Sequence, residues 1–302
     1  MSQLRFLLMG IEQDPHLSDV RHALRDQGAI VEIVNSRTVG QEQLAFKSLN
    51  RNIDEWDAIW VRYLPPLYPK SEKQISISSI QKQRAIRSFV LQWLSEQKRS
   101  GTTVHPPLSE GTYDQFKITD LQVAQKSGLN TPRTACVMNL ADAQDFIAQE
   151  KQNIIVKPVI GGQFAQHLTR IQLEHWFNTY GPLTLQQYVK GLSCRILFFK
   201  GLGVEAFVSS ELNEVDWRAQ AQSAHATIEW SPLKLPQALT ETLAHFFEES
   251  QLSLASVDMI LAEEQFYFLE ANTTPSWLDL PQIHAQKITQ KMADFLYQSV
   301  QG

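Results

Sequence analysis

The chain has 302 residues, of which 43% are hydrophobic and 20% are charged, and its net charge is −5. These values are typical of a globular protein with one large domain or two to three smaller ones, and the negative balance gives no indication of a nucleic-acid partner. The longest apolar runs fall well short of the ~20 residues that cross a bilayer, so no membrane partner is predicted. Cys136 and Cys194 lack metal-type spacing and fit a reducing cytoplasm better than a disulfide framework.

Residues 1–110 alternate predicted strands and helices. RFLLMG and AIVEIVN are strand-like, and the amphipathic helix between them ends at Gly28. A further strand is predicted over 57–63 and a long helix over 78–99. The alternation predicts a parallel sheet with helices on its faces. The residues expected to form the core stripe of the long helix are Ile80, Ala85, Phe89, Trp93 and Leu94.

A segment rich in Pro, Gly and Ser, HPPLSEGTYD at 105–114, is interpreted as a linker. Short helices and strands follow it, up to the strand IIVKP at 154–158. Strands dominate from 183 onward and predict a mainly antiparallel sheet, on which a helix over 236–251 is expected to pack.

The segment SVDMILAEEQFYFLEANTTPSW, at 256–277, carries the most informative polar residues. VDMIL and FYFLE are β-prone runs, and the polar LAEEQ between them predicts a turn. Antiparallel pairing brings Asp258 beside Glu270, and Asn272 leans to the same face because it is two residues further on. Two carboxylates and a carboxamide are hard oxygen ligands that suit Mg²⁺, which takes its other ligands from water and nucleotide phosphates. An acidic hairpin with solvated charges is the alternative.

Lys157 ends the otherwise apolar strand IIVKP, where a buried ammonium requires an anionic partner. Gly161 and Gly162 follow it and predict a flexible turn whose backbone amides can approach phosphate oxygens. Lys117 lies on the helix predicted after the linker, where a solvated surface position is the alternative.

Four segments in register resemble the ATP-grasp superfamily: IIVKPVIGG (154–162), LTLQQYVKGLSCRILFFKG (183–201), DWR (216–218) and the 256–277 hairpin. The sequence is most similar to the branch that holds prokaryotic glutathione synthetases, ribosomal-protein glutamate ligases and the maturases of microviridin-like peptides. The resemblance runs from VRYLPP at 61 to the end and is weaker before that.

The resemblance implies a fold of mixed α/β and α+β class, with three domains. An N-terminal Rossmann-like domain would span 1–110, a small α+β lid 111–190, and a C-terminal α+β domain with the metal site 191–302. The nucleotide would lie in the cleft between the last two domains.

The resemblance also implies roles for nucleotide-binding residues. Lys117 and Lys157 would contact the α- or β-phosphate of ATP. This sequence differs from its relatives at three places. Relatives usually carry a glutamate at the position of Gln187, an aspartate at that of Ser193, and a longer loop around Gly161 and Gly162. The resemblance therefore does not specify how the base, the ribose and the phosphates are recognised. The segment expected to bind the adenine edge through backbone groups consists of Gln186, Gln187, Tyr188 and Val189, with an ordinary amphipathic edge strand as the alternative.

The implied activity is that of an ATP- and Mg²⁺-dependent carboxylate–amine ligase that forms an amide or peptide bond through an acyl phosphate and releases ADP and phosphate. Arg195 and Arg218 would neutralise negative charge on the transferring phosphoryl group, with a structural ion pair as the alternative for Arg195. Arg62 would face the acceptor pocket. Trp277 would line the substrate entrance, with a core position as its alternative.

The carboxylate and the amine are left open as amino acid, small metabolite or peptide, and DWR followed by E-x-N-x-x-P-x-W resembles the peptide-modifying members most. Two other functions are compatible with the same residues: a degenerate ATP-grasp protein that binds a nucleotide for regulation, and a kinase on the same fold. Relatives often form homodimers, although no exposed apolar stripe in this sequence specifies an interface.

Overall fold

The computed structural model describes residues 3–39, 56–66, 76–108, 117–150, 153–159, 164–168, 170–210, 215–216 and 228–301. Within these residues the chain forms three β-sheets with helices packed on their faces. None of the helices in this described part has the length and apolar content needed to cross a membrane.

The first sheet is parallel and has the strand order β2-β1-β3-β4. Its two faces are both buried, because alternate residues of β1 enter different cores: Phe6 and Leu8 pack with the first helix, whereas Leu7 and Met9 pack with the second. Burial on both faces is typical of parallel sheets covered by helices, and the predicted parallel sheet is confirmed. The elements are β1 (Arg5–Gly10), α1 (Pro15–Asp26), β2 (Ile30–Asn35), β3 (Ala58–Val61), α2 (Ile77–Arg99) and β4 (Thr103–His105).

The second sheet is antiparallel, with the order β5-β8-β6-β7. Leu173 and Trp176 of the helix before β8 pack on Val156, Leu183 and Leu185 of the sheet. Lys157 lies near the end of the central strand β6, next to Thr184 of β8. The elements are β5 (Thr134–Val137), α4 (Leu140–Gln149), β6 (Ile154–Pro158), β7 (Gln166–His167), α5 (Arg170–Tyr180) and β8 (Leu183–Gln187), preceded by α3 (Lys117–Lys126).

The third sheet is also antiparallel and has the order β11-β10-β9-β12-β13. Two helices, α3 and α6, share a core with one of its faces. The last helix, α7, covers the other face and joins it to the first sheet in a single apolar cluster. The elements are β9 (Leu192–Phe199), β10 (Gly203–Ser209), β11 (Trp230–Pro232), α6 (Gln237–Glu249), β12 (Leu254–Ala262), β13 (Gln265–Asn272) and α7 (Gln282–Gln301).

The buried face of α2 is rotated from the predicted one. Val90 and Leu94 are fully buried, whereas Phe89 is 50% exposed and Ala85 also lies at the surface. Apolar side chains cover a broad arc of this helix, so its period alone did not decide which part of the arc faces the sheet.

Several elements were missed in the sequence. β4, β7 and β11 have two or three residues each, which is too short for a period-2 pattern. The helix α7 was not predicted either, although its buried residues recur at helical spacing: Ala285, Ile288, Thr289, Met292, Ala293, Phe295 and Leu296.

His105 belongs to β4, so the linker cannot begin there as predicted. The domain limits at 110 and 190 stay predictions, and α3, on the lid side of the first limit, packs with the third sheet.

Candidate functional site

A row of four charged side chains crosses the third sheet. Arg195 on β9 is paired with Asp258 on β12, and Asp258 is paired in turn with Glu270 on β13. Side chains of directly opposed residues project from the same face of a sheet. Lys117 of α3 completes the row, with its Nζ 2.6 Å from Oε2 of Glu270. The signs along the row are therefore plus, minus, minus, plus, and the pairing of Asp258 with Glu270 predicted from the sequence is confirmed.

A β-bulge lies at this point of the hairpin. The register shifts between Asp258 and Met259, so that Leu269 is an extra residue on β13. Bulges redirect nearby side chains and increase strand twist, which is why they are common beside functional sites. The bulge therefore influences how the two carboxylates are aimed.

Asn272 lies on the same face as Glu270, as predicted. Its Nδ2 donates to Oε1 of Glu270 at 3.1 Å. Because the amide nitrogen makes this contact, the amide oxygen is the atom that Asn272 can offer to a cation.

The protonation state of Glu270 is set by its neighbours. Burial acts to raise its pKa, but the charges of Lys117 and Lys157, together with hydrogen bonds from Lys117 and Asn272, outweigh burial and lower the pKa to about 2. Glu270 is therefore a carboxylate at neutral pH. Both lysines predicted to bind phosphate act on this one group.

Three residues of the row, Lys117, Asp258 and Glu270, line a cleft between the second and third sheets. Lys157 and Gln186 enter the cleft from the second sheet, and Ser193 enters it from the third. Asp216, the first residue of DWR, also lines the cleft, and its Oδ2 accepts a hydrogen bond from the Ala165 amide at 3.1 Å. Of the predicted site residues, the cleft brings together Lys117, Lys157, Gln186, Ser193, Asp258 and Glu270.

The donor set fits Mg²⁺. The two carboxylates and the carboxamide oxygen are the hard oxygen ligands that this ion prefers, and water and phosphates commonly complete its shell. In the described residues, no group of three or more His, Cys, Asp or Glu side chains forms a metal site by itself. Asp258, Glu270 and Asn272 are therefore a partial site that suits an ion shared with a phosphate.

The segment predicted to bind adenine has most of its backbone amides engaged. Gln187 N donates to the Arg133 carbonyl and Tyr188 N to the Asn153 carbonyl, each at 2.8 Å. Val189 lies beyond the end of β8. The side chain of Gln187 accepts from Arg133 N at 3.3 Å, and that of Gln186 donates to Thr134 Oγ1 at 2.8 Å.

Asp120 belongs to the same cluster and was missed in the sequence. It lies three residues after Lys117 on α3, a spacing that brings both side chains to one face of the helix. Burial and the charge of Glu270 raise the pKa of Asp120 to about 6, although Lys117 acts in the opposite direction. The sequence feature that could have indicated Asp120 is its Lys-x-x-Asp spacing from Lys117 on a predicted helix.

Asp120→Asn is expected to raise the melting temperature by a few degrees at pH 7.5 and by much less near pH 4. The folded-state pKa, about 6, exceeds the ordinary value of 3.8, so stability falls as pH rises between these values and stays lower above them. Thermal unfolding at the two pH values measures the difference, with Asp145→Asn on the exposed face of α4 as the control. An equal shift at both pH values would contradict this explanation.

Arg195 is held by acidic partners. Its Nε donates to Asp258 at 3.1 Å, and its Nη1 donates to Asp279 at 2.9 Å and to the Ser276 carbonyl at 3.2 Å. The guanidinium also lies 5.5 Å from the ring centroid of Trp230. Of the two roles considered for Arg195, these contacts favour a structural ion pair over direct contact with a transferring phosphoryl group.

Arg62 and Trp277, predicted to contact the substrate, are enclosed instead. Arg62 is 3% exposed and donates to Asp14 and to the Pro275 carbonyl. Trp277 is fully buried, and its Nε1 donates to Thr289 at 3.0 Å. The predicted position of Trp277 at a substrate entrance is therefore wrong, and its alternative, the core, is the observed one. Within the described residues, ion-pair and hydrogen-bond partners surround the guanidinium of Arg62, so these contacts do not support its predicted role in an acceptor pocket.

Gly161, Gly162 and Arg218 lie outside the described residues. Their roles in covering the phosphates and in neutralising the transferring phosphoryl group stay predictions. The same holds for the metal-binding role of Asp258, Glu270 and Asn272, although the structure brings these three side chains together.

The fold is that of the ATP-grasp ligases. The macrocyclase MdnC from Microcystis aeruginosa MRC, bound with the precursor peptide MdnA, is 19% identical, with a TM-score of 0.79 over 97% of this chain and 99% of that one. The ATP-grasp ligase PsnB, complexed with a minimal precursor, Mg and ADP, is 16% identical, with a TM-score of 0.77 over 98% of both chains.

A third similar structure is the RiPP-associated ATP-grasp ligase of Chryseobacterium gregarium, in complex with ADP and a leader and core peptide. It is 18% identical, with a TM-score of 0.77 over 98% of this chain and 97% of that one. No model of a known protein family matches the chain, and no curated protein sequence matches it. The predicted fold is confirmed.

Proposed function

We propose that this chain is an ATP- and Mg²⁺-dependent ligase that joins a carboxylate to an amine, with a peptide as the carboxylate substrate. The observation that carries the proposal is the convergence of Lys157, Lys117, Glu270 and Asp258 on one cleft of an ATP-grasp fold. Two cations for phosphates beside oxygen ligands for Mg²⁺ are what phosphoryl transfer from ATP requires.

Asp258, Glu270 and the amide oxygen of Asn272 would hold Mg²⁺, whose contribution is to polarise phosphoryl oxygens and neutralise their charge. Lys157 and Lys117 would bind the phosphates of the nucleotide. Lys117 contacts Glu270 here with one of the three N–H donors of its ammonium, which leaves donors for a phosphate oxygen.

The reaction is proposed in two steps. A carboxylate oxygen of the substrate attacks the γ-phosphorus of ATP, and the bond to the β–γ bridging oxygen breaks to release ADP. The amine nitrogen then attacks the acyl carbon, phosphate leaves, and the nitrogen loses its proton to give the amide. No protein nucleophile is needed, which agrees with the absence of a Ser-His-Asp or Cys-His pattern in the sequence.

The peptide substrate is proposed from what similar proteins hold. MdnC, PsnB and the Chryseobacterium ligase are described in complex with precursor peptides or with a leader and core peptide. A carboxylate from a Glu or Asp side chain, or from a peptide terminus, is the group we infer for this chain. A homodimer and a cytoplasmic location stay predictions.

The test is an assay of ADP and phosphate release with pooled peptides and amino acids, with Mg²⁺ and the free amine each supplied or omitted. We expect ADP formation to require Mg²⁺ and a carboxylate, and amide formation to require the amine as well. A phosphorylated hydroxyl as the stable product would point to a kinase. Nucleotide binding without turnover on any acceptor would point to a regulatory protein.

A further inference from the structure

Three residues of the N-terminal part, the buried His16 and Arg62 and the partly buried Asp14, form a cluster that the proposed reaction does not use. His16 is 5% exposed and its Nδ1 lies 2.7 Å from Oδ1 of Asp14. Arg62 donates to the other oxygen of Asp14. Asp14 also caps α1 by accepting from the His16 amide. We call these three residues the N-terminal cluster.

The N-terminal cluster holds the chain just beyond the candidate metal ligand Asn272. The Trp277 amide donates to Nε2 of His16 at 3.2 Å. Arg62 donates to the carbonyl of Pro275, two residues earlier. The segment that follows β13 is therefore tied to the loop before α1 and to the end of β3.

Both polar groups of one peptide bond in this segment form hydrogen bonds. The N–H of the Ser276–Trp277 peptide donates to His16, and the C=O of the same peptide accepts from Nη1 of Arg195 at 3.2 Å. Arg195 uses its Nε to donate to Asp258. A continuous series of hydrogen bonds therefore runs from Asp14 through His16, this peptide and Arg195 to a candidate metal ligand.

Two contacts together assign the proton of His16 to one ring nitrogen. The carboxylate of Asp14 only accepts, at 2.7 Å from Nδ1, and the Trp277 amide only donates, to Nε2, so the proton is assigned to Nδ1. Nη2 of Arg62, 3.0 Å from the same Nδ1, is then directed at Asp14 by charge and makes no hydrogen bond to the ring. Burial lowers the pKa of His16, and the charge of Arg62 adds to this, against the hydrogen bond to Asp14. The neutral imidazole that the Trp277 amide needs as its acceptor is therefore the form that burial favours.

We propose that Asp14, His16 and Arg62 are positioning residues for the metal site: they fix the Ser276–Trp277 peptide, which orients Arg195 and, through it, Asp258. The inference rests on the proposed function, because it takes Asp258 as a Mg²⁺ ligand. Groups that orient a metal ligand without contacting the metal commonly have large effects on metal affinity.

Two amide substitutions at His16 separate positioning from simple packing. The side-chain amide of Gln reaches the place of Nε2, so His16→Gln keeps an acceptor for the Trp277 amide. The amide of Asn reaches the place of Nδ1, so His16→Asn keeps the contact with Asp14 but removes that acceptor. The N–H of the Ser276–Trp277 peptide is then left buried without its partner.

We expect His16→Asn to raise the Mg²⁺ concentration needed for half-maximal ADP binding about tenfold, and His16→Gln to stay within about twofold of the unaltered chain. Isothermal titration with ADP at a series of Mg²⁺ concentrations measures this. Hydrogen exchange of the 273–280 segment, without ligand, is a second measurement, and exchange should become faster in His16→Asn only.

Thr289→Val is the control for stability, because it removes a buried hydrogen bond to the side chain of the same tryptophan but leaves the peptide untouched. An equal Mg²⁺ shift in Thr289→Val and His16→Asn would overturn the inference, as would equal Mg²⁺ dependence in both His16 variants. If His16→Asn does not fold, Asp14→Asn takes its place. It keeps a capping oxygen but loses the charge opposite Arg62, and unchanged Mg²⁺ dependence there would also overturn the inference.

The unaltered chain is measured first, since failure to bind ADP with Mg²⁺ would overturn the proposed function together with this inference. Binding by the unaltered chain with no difference among the variants would overturn the inference alone.

Discussion

Glu270→Gln is expected to lower ADP formation by at least about 100-fold while the protein stays folded. Glu270 lies at the centre of the charge row, between Asp258 and Lys117, and its low pKa keeps it charged at neutral pH. Glutamine has nearly the same shape but lacks the negative charge that a divalent cation needs. ADP release at saturating Mg²⁺ and ATP measures the effect, and circular dichroism checks the fold.

The matched control for this substitution is Glu264→Gln. Glu264 is an exposed residue in the turn of the same hairpin, so the chemical change is identical but lies far from the cleft. Asn272→Ala should lower ADP formation as well, because it removes the amide oxygen and the hydrogen bond to Glu270. Full turnover by Glu270→Gln or by Asn272→Ala would remove the metal-site assignment.

Lys117→Met is expected to have two opposite effects. ADP affinity should fall about 10- to 100-fold in the presence of Mg²⁺, because a charge-assisted contact with phosphate is lost. Binding of Mg²⁺ or Mn²⁺ without nucleotide should become tighter, because the ammonium 2.6 Å from the Glu270 carboxylate no longer repels the incoming cation. Calorimetric titration of each ligand separately measures both changes.

Two other lysines serve as comparisons for Lys117→Met. Lys126→Met, at the exposed end of α3, should change neither affinity. Lys157→Met should weaken ADP binding but improve binding of the bare cation less, because the charge of Lys157 affects Glu270 less than that of Lys117 does. If Lys117→Met leaves cation binding unchanged, the proposed competition between Lys117 and the metal for Glu270 is wrong.

The charge row explains why metal and nucleotide should bind together. Two carboxylates are balanced by Arg195 and Lys117, so an added Mg²⁺ brings an excess of positive charge into the row. In the proposed function, the phosphates of ATP would supply negative charge that interacts with both Lys117 and the metal. Each ligand therefore relieves the electrostatic cost of the other, and their affinities should be coupled reciprocally.

The hairpin that carries the site was predictable because its information is local. Two β-prone runs around the polar turn LAEEQ specify the pairing, and the two-residue period puts Glu270 and Asn272 on one face. Lys157 was predictable for a similar reason, since a lysine that ends an apolar strand needs an anionic environment.

The partners of the arginines were not predictable in this way. Arg195 meets Asp279, which is 84 residues away in the sequence, and Arg62 meets the Pro275 carbonyl 213 residues away. Both positions resemble those of functional arginines, and only the packing of distant elements shows that acidic and carbonyl groups surround them. The face that α2 buries was undetermined for the same reason, because the sheet beneath it selects one part of a broad apolar arc.

The sequence by itself determined the order of the longer strands and of most helices, the acidic hairpin with Asp258, Glu270 and Asn272, and the resemblance to ATP-grasp ligases. These features depend on periodicity and on residues close together in the chain. Only the tertiary structure decided that Lys117 is the partner of Glu270, that Asp120 joins the cluster, and that Trp277 is a core residue. Burial and ion pairing arise from contacts between elements that are distant in sequence, and no local pattern encodes which of these elements meet.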